Sequence, residues 1–234
     1  MKFTTQLRDA FKYTLRDWKA IVLLGIFLCM ASTFEEIHSN NLLILIVAFV
    51  VCTVLLFFEE GYRYKIIKET MKGNNNPPVI NNLKELIKEG FYEYITISVY
   101  ILILNILFWI VNHMEITSSI HFIQWTILYI ISMAIYFLFF GAPINKILHG
   151  GKFFSAFNFI EIAKIYLKIG LKKTIILVII GTISVNLILR SVLDYRIFNF
   201  VNFIDFLINF FISPVILLFL TRLIALIGKE VTYD

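Results

Sequence analysis

Six runs of nearly uninterrupted apolar residues, at 20–34, 42–58, 95–111, 122–142, 174–189 and 203–220, constrain what this chain can become. A hydrocarbon core about 30 Å thick is crossed by roughly 17–25 apolar residues in a helix, and the runs have that scale. They lack the polar–apolar alternation of membrane-barrel strands, so helices are expected. The composition agrees: 59% of residues are apolar and 24 are Phe, against about 45–50% apolar in soluble domains. Several runs are only fifteen to eighteen residues long. Such spans need flanking helices that continue the backbone hydrogen bonding into the interface. The expectation is an all-α polytopic membrane protein, one membrane domain over 1–234 with six transmembrane helices and interfacial amphipathic helices.

The net charge of +5 could suggest nucleic acid, but the cations lie in the intervals beside the apolar runs. That placement answers to anionic lipid head groups and to insertion, and no groove-reading pattern of basic and aromatic residues accompanies it. Intervals 1–19, 59–94, 143–173 and 222–234 together hold nineteen Lys and Arg, and the alternate intervals hold two, Arg190 and Arg196. The bias predicts a cell-membrane protein with both termini cytoplasmic. Residues 1–19 read as an interfacial amphipathic helix, with Phe3, Leu7, Phe11, Thr14 and Trp18 on its apolar side. The basic start followed by an apolar run imitates a signal peptide. No small-residue cleavage pattern follows Leu28-Cys29, so the run is retained as a span. Cys29 and Cys52 both fall inside apolar runs, which suits small packing residues rather than a disulfide or metal pair.

The polar interval from Gly61 to Gly90 carries six Lys and Arg, the Asn74–Asn76 run and Pro77-Pro78. It also closes the first of three similar units, at about 1–78, 79–152 and 153–234. Each reads as interfacial helix, span, short loop, span and basic exit, with helix-stopping glycines at Gly73, Gly151 and Gly228. Leu7-Arg8-Asp9-Ala10-Phe11 matches Ile87-Lys88-Glu89-Gly90-Phe91, which argues for an internal three-fold repeat of helical hairpins. Asn82 and Glu85 form an N-x-x-E pair suited to capping a helix that starts at Leu83.

Four polar residues stand out inside apolar surroundings: Asn186 and Arg190 on the fifth run, Asp205 and Asn209 on the sixth. Each pair is four residues apart and shares a helix face. They would form a vestibule for a substrate or ion, or, more in keeping with known helix pairs, an ion pair and an amide contact stapling two helices. Asn105 is a lone amide suited to packing. Pro143 and Pro214 mark kinks. His38, His113, His121 and His149, with Glu35, Glu36 and Glu115, lack metal-site spacing, and no nucleophile, phosphate-binding or dinucleotide motif occurs. No catalytic residue, cofactor or metal is therefore expected. Glu59-Glu60 and Glu161 read as partners for nearby Lys and Arg. Arg63, Lys65, Lys68, Lys84 and Lys88 are the candidate lipid-surface cations.

Asp17-Trp18-Lys19 before the first run, Gly61-Tyr62 with Ile66-Ile67-Lys68, Gly73 before Pro77-Pro78, and Lys88-Glu89-Gly90 resemble an uncharacterised membrane family. It is the domain of unknown function 4013, found in methanogenic archaea and in bacteria. The resemblance covers nearly the whole chain and implies a six-span membrane protein, but no activity and no catalytic residues. The expected role is non-catalytic: an envelope scaffold acting on anionic lipids, or on a protein partner in the membrane, through basic cytoplasmic helices. The alternative is a small transporter or channel between the hairpins, and the third a membrane-embedded enzyme or accessory subunit. A transporter predicts a polar cavity near Asn105, Asn186 and Asn209, and a scaffold predicts an apolar seam.

Overall fold

The structure, a computed structural model, describes residues 2–35, 41–113, 121–193 and 207–231, and every element among them is helical. In order these are α1 (Phe3–Arg16), α2 (Trp18–Glu35), α3 (Leu42–Met71), α4 (Leu83–His113) and α5 (His121–Leu148). A 3₁₀ turn (Phe153–Phe157), α6 (Phe159–Ile169) and α7 (Leu171–Leu193) follow, then a π turn (Ile208–Ile212) and α8 (Ser213–Val231). Among the described residues four helical stretches are long and apolar enough to cross a membrane: Leu42–Met71, Leu83–Val111, Thr126–Leu148 and Phe210–Val231. The apolar runs at 20–34 and 174–189 are also helical, in α2 and α7.

The chain divides into two compact units, Met1–Glu93 with Ile183–Asp234, and Tyr94–Thr182. These boundaries fall inside α4 and α7 rather than between the expected repeats. The glycine landmarks also differ. Gly73 and Gly151 take positive φ after helix ends, where an L side chain would be strained. Gly228 instead lies buried within α8 and stops nothing.

In the first unit α8 is the central helix, buried along most of its length and packed by α1, α2 and α3. Tyr13, Ala20, Ile21 and Leu24 meet Tyr62 and Ile66 of α3 and Leu217 and Leu218 of α8 in one apolar core. The pattern along α3 changes partway. Most residues from Leu42 to Val54 are exposed, whereas Phe58, Glu59, Tyr62, Tyr64, Ile66, Ile67, Thr70 and Met71 are buried.

The helix expected over residues 1–19 is divided in two. α1 ends at Arg16, and Trp18 opens α2. The face turned to the bundle carries Gln6, Ala10, Tyr13 and Thr14, while Phe11, Leu15 and Trp18 are exposed. Gln6 wins a bundle-facing place because its Nε2 donates to the Leu226 carbonyl at 3.2 Å, a partner 220 residues away that no local pattern announces.

α3 and α4 form an antiparallel hairpin whose crossing depends on two glycines. A Cβ at Gly61 would overlap the Leu86 carbonyl, and one at Gly90 would overlap the Phe57 carbonyl. The backbones therefore touch directly, the small-residue approach that gives apolar helices van der Waals contact where lipid offers no hydrophobic drive. The helix beyond the loop starts on the capping pair expected from sequence: Asn82 Oδ1 accepts from the Glu85 N–H at 3.3 Å, and Asn82 Nδ2 donates to Glu85 Oε2 at 3.2 Å.

In the second unit the 3₁₀ turn and α6 pack on α5. The Tyr166 hydroxyl donates to the Phe137 carbonyl at 2.6 Å, and the two rings stack with centroids 3.7 Å apart. Tyr100 donates to the Ala156 carbonyl and Asn145 Nδ2 to the Ser155 carbonyl, fixing the turn. Pro143 lies within α5, and Pro214 is the second residue of α8 directly after the π turn.

Substituting Gly90→Ala should lower the unfolding midpoint of detergent-purified protein by roughly 3–10 °C, since overpacking costs about 1–3 kcal/mol. Val79→Ala on the exposed loop should leave it within about 1 °C. Equal midpoints for Gly90→Ala and wild type in a thermal fluorescence assay would mean that the helices can separate without penalty.

Candidate functional site

The most elaborate polar arrangement is built around Arg222, in the middle of the apolar segment Leu220 to Leu226 of α8 and only 1% exposed. A buried guanidinium keeps its charge, so its five N–H donors must all be answered or the desolvation cost is severe. They are. Nε and Nη2 donate to Asp9 Oδ2 of α1 at 3.3 and 3.1 Å. Nη1 donates to Thr70 Oγ1 at 2.6 Å and to the Asn74 carbonyl at 3.0 Å. The remaining Nη2 bond reaches Asn75 Oδ1 at 3.3 Å. The Tyr13 ring lies against the guanidinium at 4.3 Å, within cation–π range. Burial pushes the Tyr13 phenol above its usual value, Arg222 opposes the shift, and Asp17 and Asp9 add to it. Tyr13 therefore stays a neutral face for the cation.

A second junction lies beside it. Asp17 Oδ1 accepts from the Ala20 N–H at 3.2 Å, capping α2, while Oδ2 accepts from the buried Tyr62 hydroxyl at 2.5 Å. The same hydroxyl approaches the Pro78 carbonyl at 3.5 Å. Lys65 Nζ donates to the Val79 carbonyl at 2.9 Å and to Asn81 Oδ1 at 3.2 Å. Together the two junctions tie α1, the start of α2, the 72–82 loop and the ends of α3 and α8 at one end of the unit.

The third polar group surrounds Arg63. Its Nη1 pairs with Glu60 at 2.6 Å and its Nε donates to Thr221 Oγ1 at 3.4 Å, with buried Glu59 and Glu93 as the next carboxylates. Glu161 pairs with Lys164 at 3.0 Å, as expected of a surface helix.

These contacts revise the candidate cations. Arg63 is turned inward with a side chain 15% exposed, so it is an internal partner rather than a lipid-surface residue. Lys65 is half-buried and engaged with the loop, and Lys68 is half-buried. Lys84 and Lys88 are exposed and, four apart on α4, share a face, as do Arg8 and Lys12 on α1. Asp205, and the side chains of Asn186, Arg190 and Asn209, lie outside the described residues. Asn105 is exposed on α4 rather than packed. Among the described residues no three His, Cys, Asp or Glu side chains are placed to hold a metal ion. His113 and His149 each bond through Nδ1 to a carbonyl one turn back on their own helices, at 2.9 Å. Cys29 and Cys52 form no disulfide.

In the sequence Arg222 stands only as one cation of a basic C-terminal interval. The available signal was its setting, since an arginine flanked by Leu and Ile on a helix demands internal partners.

Several apolar helices of crossing length define a multi-pass integral membrane protein. The chain belongs to the family described as protein of unknown function (DUF4013), whose model matches residues 42–228. The family seen in Gly61-Tyr62, Gly73 and Pro77-Pro78 is thereby borne out, while Asp17-Trp18-Lys19 precedes the matched interval. A relative, the uncharacterized protein MJ1189 of Methanocaldococcus jannaschii, is 27% identical over 79% of this chain and 75% of its own length. No solved structure matches.

Replacing Arg222 by Met should destabilise the protein by about 3–5 kcal/mol, the cost of breaking a buried pair by removing one partner. Arg222→Lys, with three donors, should recover only part of that. In both variants limited proteolysis should cut within 72–82 faster than in wild type. A loop equally resistant in Arg222→Met would remove the guanidinium as its anchor.

Proposed function

We propose that this is a non-catalytic, six-span protein of the cell membrane with both termini cytoplasmic, serving as an envelope scaffold whose basic end engages anionic head groups. The observation that carries the reading is the allocation of charge in the first unit. Arg222 has every donor engaged internally and Arg63 and Lys65 turn to partners of their own chain. Arg8, Lys12, Arg16, Lys19, Lys84 and Lys88 are exposed. An anchored frame under a row of outward cations suits a lipid surface, where each Lys or Arg contributes about 1 kcal/mol. A protein partner in the membrane would use the same face.

The common cytoplasmic origin of the ends is supported by the packing of α1 on α8, with Gln6 bonded to Leu226. It is supported further by the nineteen-to-two division of Lys and Arg. The repeat of three hairpins is kept for the paired pentapeptides around Arg8 and Lys88 and for the positive-φ stops at Gly73 and Gly151.

Epitope tags on the two ends should both be labelled only after cells are permeabilised; labelling of one tag on intact cells would overturn the orientation. In proteoliposomes with a fifth of the lipid anionic, spin-labelled phosphatidylglycerol should associate severalfold more than phosphatidylcholine. Combined Lys12→Glu, Lys84→Glu and Lys88→Glu should bring the ratio close to one. An unchanged ratio in that variant would remove the basic end as the lipid-binding element.

A further inference from the structure

The second unit carries an open groove of about 520 Å³ between α5 and α7. Met133, Phe137 and Leu138 form one wall and Leu171, Ile175 and Val178 the other. The helices run antiparallel, because the Thr182 hydroxyl meets Met133 Sδ at 3.5 Å while Leu171 lines the groove with Leu138. The groove therefore has two chemically different ends. Toward Met133 it is bounded by uncharged residues, with the Ser132 hydroxyl engaged by the Leu128 carbonyl and the Thr182 hydroxyl by Met133 Sδ. At the other end α7 begins, with Lys172 exposed between lining residues Leu171 and Thr174. Lys168 is exposed on the last turn of α6, just before Gly170. Thr174 presents no free hydroxyl there, since its Oγ1 lies 3.1 Å from the Gly170 carbonyl and 3.5 Å from that of Tyr166.

We propose that this groove is a binding site for one anionic membrane phospholipid, an acyl chain lying between α5 and α7 and its phosphate held by Lys168, Lys172 and the opening turn of α7. The occupant follows from the polarity of the groove. Hydrocarbon alone gives little preference, because bilayer tails are as apolar as the Leu and Ile that line it. Shape holds a chain; only the cationic end can choose among head groups. The five lining residues of α7 run from Leu171 to Ile179, about 12 Å of helix, long enough for part of an acyl chain, and the largely apolar lining offers a polar solute no partner. Lys side chains reach from such positions to head-group level along their own apolar stems. The first N–H groups of α7 point the same way and favour a negative charge.

The site rests on the membrane reading of the chain but not on the basic end of the first unit, so the two can fail separately. The test is native mass spectrometry of the full chain released from vesicles of phosphatidylcholine and phosphatidylglycerol at four to one. Wild type should retain one phosphatidylglycerol per chain above the background of loosely held lipid. Lys168→Glu with Lys172→Glu, both exposed positions that should fold normally, should lower the retained phosphatidylglycerol-to-phosphatidylcholine ratio at least fivefold. Val178→Trp should abolish retention of either lipid, and Ala134→Trp from the opposite wall serves where Val178→Trp folds poorly. The Lys12, Lys84 and Lys88 charge reversal should leave this single lipid in place. Retention unchanged in both the charge-reversed and the filled-groove variants would overturn the proposal. So would equal retention of the two head groups by wild type. Loss of the lipid on reversing Lys12, Lys84 and Lys88 alone would assign it to the first unit instead.

Discussion

A guanidinium inside a helix bundle with little water must have its donors met by the protein, and that requirement shapes the first unit. Arg222 reaches α1 through Asp9, α3 through Thr70, and the loop beyond α3 through Asn74 and Asn75. These contacts are separated by up to 213 residues in sequence. The arrangement closes only when α1 lies across α8 and the 72–82 loop folds back beneath it. A buried ion pair is weak evidence for net stability, because an apolar replacement of similar volume can be as stable. What the pair supplies is a single permitted arrangement of four segments, which apolar contacts between smooth helices specify poorly.

The glycine crossing of α3 and α4 contributes the complementary constraint. Gly61 and Gly90 bring the two backbones into contact, and this fixes where α4 leaves the bundle relative to α3. Tyr62, the next residue, turns its hydroxyl to Asp17 and Pro78. The residues that carry the family likeness in sequence are thus neighbours in space. They tie α1, α3, the loop beyond it and the start of α4 together within the first unit.

Much of the helical layout was legible because period and length are local properties. An apolar run with a polar cap, such as Asn82 with Glu85 before Leu83, announces its own start. The burial of particular faces was not legible, because it depends on partners far along the chain. Gln6 looks like a solvent residue until Leu226 is placed beside it, and Arg63 looks like a membrane-surface cation until Glu60 and Thr221 surround it. Gly228 looks like a stop by its spacing from Gly151, yet the helix continues because its φ is ordinary and its surroundings are packed. A charge count cannot separate an exposed cation such as Lys84 or Lys88 from one that faces a carboxylate, as Arg63 does.

Helix length explains why the polar joint can exist at all. α3 has 30 residues, about 45 Å of helix, against a hydrocarbon core of about 30 Å. Upright in the bilayer, roughly ten residues of it stand clear of the acyl chains. If its apolar half crosses, those ten are the stretch from Tyr62 to Met71, where burial by protein replaces exposure along α3. Thr70 and its partner Arg222 then sit at head-group depth rather than at the bilayer centre. A charge there costs far less than one at mid-membrane, because water and phosphate are within reach. The overhang of one long helix thus gives α1, the loop and the polar half of α8 a place to assemble.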